Sequence, residues 1–146
     1  MIYTVYTDGS GSDIHKVIGS AYIILTDCTY VGYGYSSVQG LQNPTYAETI
    51  AVGIAATKLL QEVGLKEDDE VIFMIDCAST IDFCRDLCLY NTDKEVSGIP
   101  LVKASISVIR KLCQSNKVCF KKVEAHKNVI SPNTFVDKVA RFCIRR

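Results

Sequence analysis

The chain has only two histidines, His15 and His126, and none of its seven cysteines forms a Cys-x-x-Cys pair. A structural zinc cage needs four closely spaced nitrogen or sulfur ligands, so a zinc scaffold is not expected. No apolar run approaches the ~20 residues that a membrane-spanning helix requires, so no membrane contact is expected. The opening residues, MIYTVYTDGS, carry neither a basic leader nor a small-residue cleavage site. A secretory signal is therefore not expected, and the location predicted is cytoplasmic. An odd cysteine count without an export signal predicts reduced thiols, with Cys77, Cys84 and Cys88 acting as small apolar residues of a core helix. Three prolines and no low-complexity tract leave no linker, and 146 residues read as one domain, 1–146.

Neither sign of charge is in excess, but the signs are unevenly spread. Residues 1–60 carry two Lys/Arg and four Asp/Glu, residues 61–100 three and ten, and residues 101–146 eleven and two. An acidic middle and a basic last third suit one face for cations and another for polyanions. The plainer alternative is a solvated surface on which the charges intermix.

The β-branched and aromatic segment IYTVYT (2–7) predicts a strand that ends where Asp8 enters a turn. VIGSAYIIL (17–25) and TYVGYGYSS (29–37) predict two more, together an antiparallel meander. Pro44 opens an alanine-rich segment that closes at Gly64, a helix apolar on most sides and hence largely buried. The run VIFMID suits a strand covered on both faces. ASTIDFCRDLCLY and LVKASISVIRKLCQ predict helices, and KVCFKKVEA a fifth strand. Ser131 as N-cap and Pro132 at the first turn start a last helix, with Phe135, Val139 and Phe142 or Cys143 along one face. The order βββ-α-β-α-α-β-α predicts an α/β fold, a mixed sheet covered by helices.

Four carboxylates stand out by position. Asp8 and Asp76 end the first and fourth strands, and parallel neighbours would bring both to one carboxyl edge, where open α/β sheets bind ligands. Glu48 and Asp137 lie in the first turns of two helices. Each has an ordinary reading as turn former, N-cap or dipole partner. Converging acids would repel one another unless a cation neutralised them, and hard oxygen ligands favour Mg²⁺ or Mn²⁺ over zinc.

YTDGS around Asp8, AETIAVGIAA around Glu48, MIDCAST around Asp76 and EAHKNVISPNTFVDKVAR from His126 to Asp137 occur in this order along nearly the whole chain. In these segments the sequence resembles ribonuclease H of type 1. The resemblance implies a five-stranded sheet in the order 3-2-1-4-5, with strands 1–3 antiparallel and helices on both faces. It implies an endonuclease that cleaves the RNA strand of RNA–DNA hybrids by a two-metal-ion mechanism, leaving 5′-phosphate and 3′-hydroxyl ends. Asp8, Glu48, Asp76 and Asp137 would ligate two Mg²⁺ ions, or Mn²⁺, directly or through water. His126 would be the family's loop histidine, assisting proton transfer or product departure.

Gly9, Ser10, Asn43, Ser79, Asn133, Lys121 and Lys122 would contact the hybrid. Asn43 stands one step before Pro44, the position at which the family often has its asparagine. The Lys- and Trp-rich protrusion of many bacterial members has no counterpart in NTDKEVSGIP, and the chain contains no tryptophan. A monomer is expected, with a partner domain as one source of added substrate grip. The rival expectations are a junction resolvase or exonuclease on the same fold, and a scaffold that binds nucleic acid without cutting it.

Overall fold

The computed structural model describes residues 1–12, 14, 16–27, 29–40, 44–89, 100–123 and 131–142, without the side chains of Pro44, Cys88 and Leu89. Its strands are β1 (Ile2–Ser12), β2 (Val17–Thr26), β3 (Thr29–Gln39), β4 (Glu70–Ile75) and β5 (Lys117–Lys122). Its helices are α1 (Pro44–Lys58), α2 (Ala78–Leu89), α3 (Pro100–Ser115) and α4 (Pro132–Phe142). The sheet order is β3-β2-β1-β4-β5. β1, β2 and β3 pair antiparallel, whereas β4 runs parallel to both β1 and β5. Sheet order and strand directions are those expected from the sequence.

The two faces of the sheet are covered unequally. Val5, Ile18, Ile24, Val71, Phe73 and Ile75 point to one side and form a single core with α1, α2 and α3. Phe73 and Phe120 stack there at 5.3 Å between ring centroids. α1 is the central post: Ala47, Ala51, Ala55 and Ala56 are fully buried, and small side chains let it press against both sheet and α3. It runs on into a π-helical turn, Leu59–Val63, and stops where Gly64 takes φ +71° and donates its amide to the Leu59 carbonyl. A left-handed residue of that kind is the terminator that glycine supplies most cheaply.

Among the described residues the opposite face packs against α4 alone, through a small cluster of Ala21, Val136 and Ala140. Along β4 burial accordingly alternates, with Ile72 and Met74 half-buried, so the run VIFMID is dry on one side and half-covered on the other.

Two expectations need correction, one on the end of β1 and one on the cysteines. β1 does not end before Asp8 but continues to Ser12, with Asp8 paired to Ala21 across the antiparallel ladder. What ends near Asp8 is the parallel ladder to β4, whose last pair is Tyr6 with Met74. On α4 Phe135, Val139 and Phe142 share one face as expected, but Asn133, Val136 and Ala140 are the residues turned to the sheet, and both phenyl rings are exposed. The narrow sheet face beside Ala21 admits small side chains, and phenyl rings are pushed aside. Cys77, Cys84 and Cys119 are free thiols, whereas Cys113 is disulfide-bonded, so the expectation of reduced thiols fails at Cys113.

Gly9 has a packing reason. A Cβ placed there would lie 2.5 Å from the Ala47 carbonyl carbon and the Glu48 amide nitrogen. Backbone cannot yield as a side-chain tip can, so α1 crosses β1 only because this residue has no side chain. Gly9→Ala is expected to lose roughly 1–3 kcal/mol by overpacking. Thermal denaturation measures the loss.

Candidate metal centre

Residues on the two central strands alternate in facing, and the parallel register sets them side by side. Two positions beyond the pair Tyr6–Met74, each chain carries an aspartate, Asp8 and Asp76. Glu48 arrives from the first turns of α1, held close by the contact over Gly9. Ligand atoms of Asp8, Glu48 and Asp76 all lie within 4.8 Å of one another. Asp8 is the most enclosed, with 5% of its surface exposed.

Such crowding is costly for anions. Burial, then the Asp76 charge and a hydrogen bond to Asp137, push the Asp8 carboxyl up to about 8, against the opposing pull of the Gly9 amide. That amide donates to Asp8 Oδ1 at 2.8 Å. Burial also raises Glu48, opposed by hydrogen bonds from Thr80 and Cys77 and reinforced by Asp76. Acids this close either share protons or surround a cation. The donor set is all oxygen, hard and anionic, which suits Mg²⁺ or Mn²⁺. The residues present therefore fit the divalent ions that the sequence implies.

Asp137 stands at the margin of this group. It bonds Asp8 and is also engaged by its own helix, where Arg141 Nε donates to its Oδ1 at 3.2 Å. It does not belong to the tight trio. The helix start works as expected, with the Thr134 amide donating to Ser131 Oγ at 3.3 Å. Asn133, one turn before Asp137, is buried, and among the described residues its Oδ1 has no hydrogen-bond partner.

The remaining candidate residues spread outward. Ser10 sits on β1 opposite Gly19. Ser79, exposed at the start of α2, has its Oγ 3.1 Å from Cys77 Sγ. Lys121 and Lys122 are both exposed on β5. Lys121 pairs with Met74 and so shares the face of Asp76, whereas Lys122 pairs with Ile75 on the other side. His126 and Asn43 lie outside the described residues, as does His15.

One residue escaped the sequence reading. Thr80 is fully buried on α2, and its Oγ1 donates to Glu48 Oε2 at 2.6 Å. It fixes one carboxylate oxygen and leaves the other for the centre. A threonine beside Ile81 on the apolar face of α2 was the available signal. Cys84 is buried nearby, and burial together with the Glu48 charge pushes its thiol up to about 12. It is a packing residue rather than a ligand.

A family model described as RNase H matches residues 2–144. The chain belongs to the RNase H family. Among solved structures, RNase H1 of the halophilic archaeon Halobacterium salinarum NRC-1 superposes with a TM-score of 0.71 at 14% identity, covering 98% of this chain and 97% of that one. The N-terminal RNase H domain of rv2228c from Mycobacterium tuberculosis, solved as a maltose-binding-protein fusion, gives 0.73 at 12% identity, covering 98% and 93%. No curated protein matches by sequence. At these identities the structural likeness speaks for the fold, which is that of type 1 RNase H.

In this RNase H chain the Thr80–Glu48 bond is open to a direct test. Thr80→Val keeps the shape and removes the donor, and metal affinity is expected to fall roughly tenfold. Thr80→Ser should restore it. Calorimetric titration with Mn²⁺ reads both.

Proposed function

We propose that this RNase H-family chain is a metal-dependent endonuclease that hydrolyses the RNA strand of RNA–DNA hybrids, leaving 5′-phosphate and 3′-hydroxyl ends. Residues 1–146 act as one catalytic domain. The observation that carries this reading is the trio Asp8, Glu48 and Asp76, with ligand atoms within 4.8 Å of one another just beyond the last pair of the parallel β1–β4 ladder.

Asp8, Glu48 and Asp76 hold the metal directly, and Asp137 does so directly or through water. Mg²⁺ or Mn²⁺ ions held by these carboxylates would supply water activation and stabilisation of the leaving oxygen. Around them the protein's own groups orient and shield. Thr80 fixes Glu48, Arg141 fixes Asp137, and burial of Asp8 keeps bulk water from its carboxylate. His126 moves a proton or helps product leave. Ser10, Asn43, Ser79 and Asn133 contact the hybrid, as does the backbone at Gly9. Recognition follows the A-form-like shape and 2′-hydroxyls rather than base sequence.

Grip on the hybrid falls to basic residues such as Lys121 and Lys122, or to a partner domain joined to a monomeric catalytic unit. No helix among the described residues is long and apolar enough to cross a membrane. The cytoplasmic compartment suits such an enzyme.

The deciding experiment offers labelled hybrid, duplex DNA, duplex RNA and a four-way junction with Mg²⁺, Mn²⁺ or chelator. Cleavage of the RNA strand of the hybrid, abolished by chelator, is expected. Cutting of the junction instead would favour a resolvase, and no cutting a scaffold. Replacing Lys121 and Lys122 by alanine should lower the slope of log affinity against log salt by roughly one to two units. Lys121 should account for more of the change, because it shares the face of Asp76. Affinity measured across a salt series gives the answer, and an unchanged slope would place the nucleic acid elsewhere.

A further inference from the structure

Phe135 and Phe142 are 38% and 66% exposed, and on the neighbouring edge strand Tyr33 and Tyr35 are 50% and 56% exposed. The Tyr33 ring meets Phe135 edge to face, with centroids 5.8 Å apart at 89°. With Val139 and Phe142, these rings line a depression of about 370 Å³ between β3 and α4. Phe142 also borders a second depression of about 450 Å³, otherwise lined by Asp137, Lys138 and Arg141. An aromatic groove thus passes two cations and reaches a carboxylate beside the metal centre.

Aromatic surface concentrated in this way marks a binding face. Its layout points to one occupant. Tyr33 and Tyr35 alternate on a single strand face and so stand roughly 7 Å apart. Rings displayed by a sheet at such spacing accept successive unstacked bases. Lys138 and Arg141 complement phosphate, and the groove opens toward the acids where a nucleic acid would be cut.

We propose that this groove binds unpaired nucleic acid: the single-stranded tail that leaves a hybrid seated at the metal centre. The proposal rests on the hybrid reading given above. Ring stacking tolerates any base and either sugar, so RNA and DNA tails are both candidates.

The test uses fluorescence anisotropy on blunt hybrid, hybrid with an RNA tail, hybrid with a DNA tail, and free single strands, with Ca²⁺ in place of Mg²⁺. A tail is expected to tighten binding roughly tenfold, the effect of about one stacked base. The double variant Tyr33→Ala, Tyr35→Ala should erase that gain while leaving blunt-hybrid affinity and cleavage rate unchanged. Tyr33→Phe with Tyr35→Phe, which keeps the rings, should preserve it. Comparing the two tails shows which strand the groove takes.

Equal affinity for blunt and tailed hybrids overturns the proposal, as does a tail effect that survives loss of both rings. Self-association of the wild type that the alanine variant abolishes would also overturn it, by identifying the groove as an interface between copies. If blunt hybrid is neither bound nor cut while free strands still bind through the two tyrosines, the hybrid reading fails and the groove assignment stands.

Discussion

Asp76→Asn is expected to yield a folded protein whose hydrolysis of the RNA strand is at least ~10³-fold slower, a loss of about 4 kcal/mol or more of transition-state stabilisation. The substitution is close to isosteric and sits at the exit of β4, so it disturbs neither ladder nor core. On the proposed metal reading it removes one of the anionic ligand groups and with it much of the pull on a divalent ion. It also removes the Asp76 charge, which adds to burial in raising Asp8 and Glu48. The variant should therefore melt at the same temperature as the wild type, or higher, in chelator. Cleavage kinetics and a melting curve on the same sample separate chemistry from folding. Near-normal hydrolysis would refute the metal assignment.

The second large effect is a pH-dependent stability that metal reverses. In the metal-free protein the Asp8 carboxyl titrates near 8 instead of its ordinary 3.8. Between those values the folded state holds a proton that the unfolded chain has released. Stability therefore falls as pH rises, by up to about 1.4 kcal/mol per unit for one such proton. From pH 5 to pH 7 a loss of roughly 2–3 kcal/mol is expected, levelling off above about pH 8. Burial is the first cause and the Asp76 charge the second, so the proton belongs to the cluster and not to Asp8 alone.

Divalent cations compete with that proton. Mg²⁺ should stabilise the protein through binding to the folded state, with a larger gain at pH 8 than at pH 5. Thermal melts across this range, with Mg²⁺ and with chelator, give both profiles. Other groups also titrate, so the decisive quantity is the difference from Asp8→Asn, which should flatten the chelator curve. A variant that follows the wild-type curve would show that the carboxylates are not crowded in solution.

The strands were legible because their residues are β-branched and aromatic and because turn residues separate them. α1 was legible from Pro44 and Gly64. Glu48, Asp76 and Asp137 could be named because each follows a recognisable element boundary, and Asp8 because a strand-like run meets Gly9 directly after it. Their relation to one another was harder to read. Asp137 occupies the expected helix turn, yet the Arg141 ion pair draws on the same carboxylate, and it stays outside the tight trio. Thr80 went unnoticed because a threonine in a mostly apolar helix face has no local pattern. Its role exists only once α2 is packed against α1.

The facing of α4 shows the same division. Helical spacing put Phe135, Val139 and Phe142 on one face but did not say which way that face turns. In the folded chain Asn133, Val136 and Ala140 face the sheet instead, which sets Asp137 beside Asp8 and leaves the rings in solvent.

By itself the sequence determined the order of elements, the family and the identity of the carboxylates, because these depend on local composition and on motifs contiguous in the chain. Tertiary structure alone decided how far apart those carboxylates lie, that burial raises Asp8 and Glu48, what holds Glu48, and which face of α4 meets water. Those properties arise from close packing of segments distant in sequence, where a glycine without a Cβ or an alanine beneath a helix sets separations to within an ångström.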